Sequence, residues 1–156
     1  METKIKLLFV DDEPFVCEQI ADSIDWERLG IEVIGICESP VDALDQMVNE
    51  APDILITDIK MPGMDGLDLI AKAKQVNPVL ESVILSGYAE FSFAQTALQL
   101  GVKNYLLKPF SEEELEEVLE KVCGQIRNRR LEKKKTLEWR REMVGGLIAA
   151  GSLLHL

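Results

Sequence analysis

Five short apolar runs alternate with amphipathic stretches along most of the chain, and this alternation constrains the fold most strongly. The runs are near-continuous in Val, Ile and Leu, which is typical of strands buried on both faces of a sheet. They occupy residues 4–10, 31–37, 53–58, 81–86 and 103–107. Strands that alternate with helices pair in parallel through right-handed crossovers. The pattern predicts an α/β fold with a doubly wound five-stranded parallel sheet in the order 2-1-3-4-5.

Helical periodicity and capping residues fill the gaps between these runs. Three stretches carry apolar residues at helical spacing, namely Val16, Ile20 and Ile24, then Leu44, Met47 and Val48, then Phe91, Ala94 and Leu98. Capping patterns at Ser39, followed by Pro40 and Asp42, and at Ser111, followed by Glu114, predict two helix starts. Gly30 and Gly101 are predicted to end helices.

The helix predicted to begin after Ser111 continues into a basic segment without a stop signal. Residues 1–126 carry 25 acidic and 9 basic residues, whereas residues 127–156 carry 3 acidic and 8 basic residues. A helix over residues 111–142 would be about 48 Å long, longer than a small domain requires. We therefore predict a compact acidic domain over residues 1–126 and an extended C-terminal helix. Its residues 127–156 would form a basic stem or linker that leads to an output domain outside this chain.

Composition excludes several classes of protein. The net charge of −11 and the low aromatic content of 6% argue against a nucleic-acid-binding chain. The three cysteines are far apart and odd in number, so neither a disulfide framework nor a zinc site is expected. The aspartates at 11 and 12 interrupt the first apolar run, so it does not form a signal peptide, and the stretch from Met143 to Leu154 is too short to cross a bilayer. We therefore expect a cytoplasmic protein with no membrane contact.

Polar residues follow four of the five predicted strands. Asp11 and Asp12 follow the first strand, Asp58 ends the third, Ser86 and Gly87 follow the fourth, and Lys108 and Pro109 follow the fifth. In this strand order, the carboxyl ends of those four strands lie side by side and form the ligand-binding edge of the sheet. The sequence therefore predicts one pocket that holds three carboxylates, a hydroxyl and an ammonium group.

The carboxylates indicate what the pocket binds. Two carboxylates about 4 Å apart repel by about 4 kcal/mol at an effective dielectric constant of about 20, so a cluster of three requires a proton or a cation. Oxygen ligands without His or Cys favour Mg²⁺ or Mn²⁺ over zinc. A lysine and a hydroxyl opposite the acids suit a phosphoryl group, which Mg²⁺ commonly accompanies.

Four segments resemble the CheY-like receiver domains of two-component response regulators. They are Val10–Glu13, Asp58–Gly66, Ser86–Gly87 and Tyr105–Pro109, and the resemblance covers residues 4 to about 125. The segments around Ser86–Tyr88 and Leu106–Pro109 are most similar to receivers of regulators with an AraC-type DNA-binding domain. The resemblance implies a flavodoxin-like fold and a phosphorylation-dependent signalling switch that regulates transcription, rather than an enzyme.

The resemblance also implies a role for each matching residue. Asp58 would be the phosphoacceptor, and Mg²⁺ would bind Asp11, Asp12, Asp58 and the backbone carbonyl of Lys60. Lys108 and Ser86 would contact the phosphoryl group, and Gly87 would leave room for it. Tyr105 would turn inward with Ser86, and a cis peptide bond before Pro109 would aim Lys108. Pro62, Gly63 and Gly66 would turn the chain sharply after the acceptor.

The resemblance further implies partners. A sensor histidine kinase would supply the phosphoryl group, and DNA would be contacted only through an output domain outside this chain. A homodimer could form through the fourth helix, fifth strand and fifth helix, or through the C-terminal stem. Asn104 stands where many receivers place an acid that supports the first of these dimers. Lys60 and Tyr88 flank the acceptor, and we hypothesise that their bulk slows loss of the phosphoryl group.

Three alternatives share parts of this pattern. A flavodoxin-type mononucleotide binder has the same strand order but needs a Ser/Thr/Gly-rich loop where this chain has Asp-Asp-Glu-Pro. A haloacid-dehalogenase-like phosphatase carries its nucleophile after the first strand in a DxD pattern, which Asp11-Asp12 does not match. A receiver that no longer accepts phosphate would be an interaction module, but all five expected polar residues are present.

Overall fold

The five predicted strands form a single parallel sheet. The computed structural model describes residues 3–87, 97, 99 and 101–154. Its strands are β1 (Ile5–Val10), β2 (Ile31–Cys37), β3 (Ile54–Asp58), β4 (Glu81–Ser86) and β5 (Asn104–Leu107). They pair in the order β2-β1-β3-β4-β5, and all four pairings are parallel. The predicted doubly wound fold is confirmed, with every strand boundary within one residue of its expected position.

The described helices follow the predicted alternation. They are α1 (Pro14–Ser23), the single turn α2 (Trp26–Leu29), α3 (Pro40–Glu50), α4 (Gly66–Val76) and α5 (Glu112–Leu154). The short α2 was not predicted, because four residues carry too little periodicity to be recognised. The stripe of Phe91, Ala94 and Leu98, and also Tyr88, lies outside the described residues.

The predicted capping residues occupy the ends of these helices. The hydroxyls of Ser39 and Ser111 accept hydrogen bonds from the backbone N–H groups of Asp42 and Glu114, at 3.2 and 3.1 Å. Gly30 ends α2 with a φ of 71°. Gly101 has a φ of 80°, and the N–H of the next residue, Val102, donates to the carbonyl of Ala97 at 3.0 Å. This hydrogen bond is typical of a Schellman-type helix end. Both glycines therefore have the backbone conformation of a helix end, as predicted.

One face of the sheet packs against α3 and α4. Leu8, Leu55 and Ile84 of the sheet belong to one buried apolar cluster with residues of both helices, among them Ala43, Met47, Leu69, Ile70 and Ala73. The prediction that Val48 belongs to this stripe is wrong, because its side chain is 66% exposed. Ala43, one helical turn before Met47, is buried in its place.

The other half of the apolar core involves α1, α2 and the first turns of α5. Cys17, Ile24, Leu29, Leu115 and Leu119 are all buried. The indole of Trp26 packs edge-on against Phe9 of β1, with ring centroids 5.9 Å apart, and its Nε1 donates to the carbonyl of Ala21 at 2.9 Å. Cys17, Cys37 and Cys123 are buried thiols outside any disulfide bond, as expected of small apolar side chains.

Backbone packing divides the chain into two units, residues 1–121 and 122–156, and the division falls within α5. The extended C-terminal helix is confirmed, whereas a domain boundary at residue 126 stays a prediction. Exposed side chains dominate the second unit from residue 128 to residue 148. Several of them are large and apolar, namely Leu131, Leu137, Trp139, Met143, Val144, Leu147 and Ile148. Within the described part of the chain, no helix combines the length and apolarity that a membrane span requires.

Candidate functional site

Strand register brings the predicted site residues to one edge of the sheet. Val10 of β1 is paired with Thr57 of β3, so Asp11 and Asp58, which follow them, continue side by side beyond that pair. On the other side of β3, Asp58 is paired with Leu85, next to Ser86. The N–H of Lys108 donates to the carbonyl of Ser86 at 2.7 Å, which continues the β4–β5 pairing by one residue. The predicted convergence of four strand ends is therefore present.

Three carboxylates form a cluster at this edge. Asp11, Asp12 and Asp58 each place an oxygen atom within 4.8 Å of the other two. Asp11 is fully buried and Asp12 is exposed, while the side chain of Asp58 is 15% exposed. The cluster therefore has a buried floor and an open side.

The surroundings of Asp11 shift the pKa of its carboxyl group. Burial raises the pKa of its carboxyl group above the ordinary value for aspartate. The N–H of Glu13, which donates to Oδ1 at 2.9 Å, and the ammonium of Lys108, 3.5 Å from Oδ2, oppose that rise without cancelling it. The charge of Asp58 adds to it. The negative charge of Asp58 and the lack of solvent thus destabilise the ionised form of Asp11. A bound cation would stabilise that ionised form.

The two carboxylate oxygens of Asp58 have different partners. Oδ1 accepts a hydrogen bond from the backbone N–H of Ile59 at 2.9 Å, and Oδ2 lies 3.3 Å from Nζ of Lys108. The fixed N–H group orients the carboxylate plane, and the ammonium group is on the side where Oδ2 projects. This arrangement distinguishes the two oxygens before any ligand binds.

Lys108 connects the acids of β1 and β3. Burial alone would lower the pKa of its ammonium group, but the negative charges of Asp11 and Asp58 outweigh that effect and raise the pKa above its ordinary value. Lys108 therefore stays protonated at neutral pH. The peptide bond between Lys108 and Pro109 is cis, as the resemblance implied.

Ser86 and Tyr105 are joined by a hydrogen bond between their hydroxyl groups. Ser86 is fully buried, and the ring of Tyr105 is partly buried against the apolar cluster on the α3–α4 side of the sheet. Tyr105 is thus turned inward toward the serine in this structure. Among the described residues, nothing lies within 4 Å of a Cβ atom added to Gly87, so that part of the structure leaves space beside Ser86.

The loop after Asp58 depends on two glycines. Gly63 has a φ of 86°, which favours glycine strongly. At Gly66, a Cβ atom would lie 2.1 Å from the carbonyl oxygen of Asp58, and the N–H of Gly66 donates to the carbonyl of Ile59 at 2.7 Å. The start of α4 therefore packs directly on the backbone of Asp58. Lys60 is exposed in this loop, and a ligand role for its carbonyl stays a prediction.

Asn104 is a buried residue rather than a surface one. Its side chain is only 4% exposed, and its Nδ2 has no hydrogen-bond partner among the described residues. A residue buried in this way offers little to a partner surface, and a dimer through the fourth helix, fifth strand and fifth helix stays a prediction.

A groove beside the site was not predicted. A cavity of about 480 Å³ is lined by Val16, Gln19, Ile20, Ser23 and Ile24 of α1 and its end, and by Lys108, Pro109, Phe110, Glu112 and Leu115. Phe15, which precedes Val16, is 66% exposed. The sequence carries a weak signal for this groove, since Phe15 interrupts the polar face of a helix whose other apolar residues recur every fourth position.

Comparison with known proteins identifies the family. Residues 7–120 match the response regulator receiver domain. The chain belongs to the response regulator receiver family. This match favours a receiver over the flavodoxin-type and phosphatase alternatives. Receiver domains act in signalling rather than as enzymes.

Three relatives illustrate the similarity. The chain is 41% identical over 138 residues to the uncharacterised transcriptional regulatory protein YesN of Bacillus subtilis, covering 88% of this chain and 38% of YesN. The receiver domain of AraT, a response regulator from Geobacillus stearothermophilus, is 38% identical and superposes with a TM-score of 0.77, covering 81% of this chain and 98% of that domain. A two-component transcriptional regulator AraC from Clostridium phytofermentans, at 24% identity, shares the fold with a TM-score of 0.77, covering 81% and 98%. The chain thus spans less than half the length of YesN.

Proposed function

We propose that Asp58 accepts a phosphoryl group from a phosphohistidine of a sensor histidine kinase and that the chain relays this event as a conformational change. The arrangement of Asp58 carries the proposal. Its Oδ2 faces an ammonium group 3.3 Å away while its Oδ1 accepts a hydrogen bond from a backbone N–H, so the carboxylate is oriented with Oδ2 beside the cation that would meet the phosphoryl group. Lys108 would neutralise an incoming phosphoryl oxygen there.

The donor set fits a hard divalent cation. Asp11, Asp12 and Asp58 supply carboxylate oxygens within 4.8 Å of one another, with neither His nor Cys among them, and Lys60 would add its backbone carbonyl. Mg²⁺ or Mn²⁺ bound there would withdraw charge from the phosphoryl oxygens as the transfer proceeds. The open side at Asp12 leaves room for water ligands, which Mg²⁺ usually keeps.

The proposed transfer is a displacement at phosphorus. Oδ2 of Asp58 forms the new P–O bond while the P–N bond of the phosphohistidine breaks and the imidazole nitrogen leaves with the electron pair. Attack by the carboxylate form of Asp58 releases no proton. Lys108 and the hydroxyl of Ser86 would hold the oxygens of the transferred group.

The relay would use the hydrogen bond between Ser86 and Tyr105. If Ser86 moves toward the phosphoryl group, its hydroxyl exchanges Tyr105 for a phosphoryl oxygen, and the surroundings of Tyr105 on β5 change. We therefore expect altered amide exchange in β5 and in the first turns of α5 upon phosphorylation, with little change in α3.

The groove between α1 and the segment Lys108–Leu115 suits the kinase. Lys108 both lines this groove and contacts Asp58, so a helix seated there would lie next to the acceptor. Ile20 lines the groove, and Phe15 is exposed in the first turn of the same helix. The kinase would therefore bury apolar surface on α1 while it presents its histidine.

We also propose that the receiver controls transcription through an output domain linked by residues 127–156. The support is the similarity to YesN, whose name describes a transcriptional regulatory protein and whose length is more than twice that covered here. Any contact with DNA would belong to that output domain, since the acidic charge of residues 1–126 opposes it.

Labelling with acetyl phosphate and Mg²⁺ tests the acceptor. Intact mass spectrometry should show one added phosphoryl group in the wild-type chain and in Asp45→Asn, an exposed acid on α3 away from the cluster. Asp58→Asn, or the wild type in EDTA, should show none. Labelling of Asp58→Asn at the wild-type rate would refute the proposal.

A comparison of two phosphoryl donors distinguishes an effect on kinase docking from an effect on the phosphotransfer chemistry. With a purified histidine kinase core that labels the wild type, Phe15→Ala and Ile20→Ala should slow transfer, because apolar surface on α1 is lost. With acetyl phosphate, which needs no docking, both variants should label like the wild type. Equal slowing with both donors would mean that α1 supports the pocket rather than the kinase.

A further inference from the structure

We propose that Arg28 is a positioning residue for the histidine kinase, because it holds the first turns of α5 where they form one wall of the groove beside α1. This role rests on the proposed function, since it concerns the surface on which the kinase would bind. Arg28 itself lines neither the groove nor the carboxylate cluster.

Arg28 joins α2 to α5 through both terminal nitrogens of its side chain. Nη1 donates to Oε1 of Glu120 at 2.9 Å, and Nη2 donates to Oε2 of Glu116 at 3.2 Å. Glu116 and Glu120 are four residues apart on α5, so they lie on one side of that helix. The planar guanidinium group can therefore bind both carboxylates at once, which a single compact ammonium group does less well.

The turn that carries Arg28 is anchored to the sheet. The indole of Trp26 packs against Phe9 of β1, and Leu29 is buried. The side chain of Asp25 accepts a hydrogen bond from the backbone N–H of Arg28 at 3.2 Å. Arg28 therefore reaches α5 from a fixed position.

The residues that Arg28 joins are close in sequence to residues that line the groove. Ile24 lines the wall on the α1 side and lies four residues before Arg28. Leu115 lines the opposite wall and directly precedes Glu116. The two ion pairs of Arg28 therefore connect the two walls and restrain the distance between them.

The two segments that Arg28 joins are strongly acidic. Residues 11–27 contain seven acidic residues and no basic residue, and residues 112–120 contain six acidic residues and no basic residue. Buried Leu115 and Leu119 attach α5 to the core, but repulsion between the like charges opposes that attachment. Arg28 offsets this repulsion. Its loss would loosen the first turns of α5 and reduce the fraction of molecules whose groove fits the kinase.

Initial rates of phosphotransfer test this role. A purified kinase core that labels the wild type is phosphorylated, and transfer is then measured at increasing concentrations of the receiver. Arg28→Ala should raise the half-saturating receiver concentration by about threefold to tenfold and leave the maximal rate unchanged, because fewer molecules have a groove of the right shape. With acetyl phosphate, which needs no docking, Arg28→Ala should label like the wild type.

A matched control and a charge reversal complete the test. Lys4→Ala removes another exposed ion pair of α2, the pair with Glu27 at 2.9 Å, and leaves the contacts of α5 intact. It should behave like the wild type with both donors. Arg28→Glu should be impaired at least as much as Arg28→Ala, and its combination with Glu116→Arg and Glu120→Arg should restore the wild-type half-saturating concentration.

Amide hydrogen exchange measures the hold on α5 without any phosphoryl donor. Arg28→Ala should speed exchange in residues 112–120 by about twofold to tenfold and leave exchange in β1 and β3 unchanged. Lys4→Ala should leave exchange in all three regions unchanged.

Several outcomes would overturn the role of Arg28. They are an unchanged half-saturating concentration or unchanged exchange in residues 112–120 for Arg28→Ala, equal slowing of transfer from both donors, and a charge reversal that restores nothing. A wild type that neither donor labels would instead refute the proposed function, and the exchange measurement would still decide whether Arg28 holds α5.

Discussion

Replacing Lys108 with methionine should lower the stability of the metal-free protein substantially. Nζ lies 3.5 Å from Oδ2 of Asp11 and 3.3 Å from Oδ2 of Asp58, so each pair would contribute about 5 kcal/mol of attraction at an effective dielectric constant of about 20. The side chain of Lys108 is 30% exposed, so solvent screening and its own desolvation reduce this figure considerably. Methionine keeps most of the apolar stem, which isolates the loss of charge.

We expect a net loss of about 2–4 kcal/mol, because Asp11 has no access to solvent and its charge would lose the attraction of the Lys108 ammonium group. For a chain of this size, that corresponds to a melting temperature about 5–15 °C lower. The response to Mg²⁺ should change in the opposite direction. Without the neighbouring ammonium, a divalent cation is repelled less, so the added stability at a given Mg²⁺ concentration should exceed that of the wild type.

Thermal melts followed by circular dichroism, in EDTA and across a Mg²⁺ titration, measure both effects. Lys103→Met, which removes an exposed lysine just before β5, is the matched control and should behave like the wild type in both conditions. A Lys108→Met variant that melts with the wild type in EDTA, or that gains no more from Mg²⁺ than the wild type does, would refute the electrostatic account of this pocket.

Four further substitutions test separate parts of the structure. Burial raises the pKa of Asp11, so protonation favours the folded state and this stabilisation disappears as pH rises from the ordinary aspartate pKa of 3.8 through the raised value. Asp11→Asn should therefore have a higher melting temperature than the wild type at pH 7 in EDTA, and this difference should disappear near pH 3–4. The variant should also gain little stability from Mg²⁺. A difference in melting temperature that is constant across pH would contradict this account. Gly66→Ala should cost about 1–3 kcal/mol and slow acetyl phosphate labelling, because the new Cβ would meet the Asp58 carbonyl, whereas Gly124→Ala should be neutral or stabilising. Asn104→Leu should raise the melting temperature by removing a buried donor that lacks a described partner, and a fall would show that the amide is satisfied.

The alternation of apolar runs sufficed to predict the sheet, because strands buried on both faces must be continuously apolar. Even the strand order followed from the family of folds that such alternation allows. What periodicity could not resolve were elements that span only about one helical repeat, which leaves no recurrence to detect. The turn α2 spans four residues and is fixed by Asp25, whose side chain accepts from the N–H of Arg28, and by Gly30.

The failure at Val48 has a similar cause. A helix of eleven residues presents Leu44, Met47 and Val48 within one arc, and only the position of the sheet decides which edge of that arc is covered. The sheet covers Ala43 and Met47, whose small and flexible side chains fit against it, and leaves Val48 in solvent.

The polar site was easier to predict than the packing around it. Asp11, Asp58, Ser86 and Lys108 are found together because strand ends in a parallel sheet meet whatever the side chains are. The distinct partners of the two Asp58 oxygens, in contrast, depend on the N–H of Ile59 and on the direction of one lysine side chain. The groove along α1 depends on how two helices are spaced. Neither feature is encoded in residue type alone.

The identity of the phosphorylated residue tests the central claim most directly. After labelling with acetyl phosphate and Mg²⁺, borohydride reduction converts an aspartyl phosphate into a stable product that peptide mass spectrometry can locate. The account predicts that the modification maps to position 58 alone, and that it is absent when Mg²⁺ is chelated. Modification at Asp11, Asp12 or any other residue, with position 58 unmodified, would contradict it.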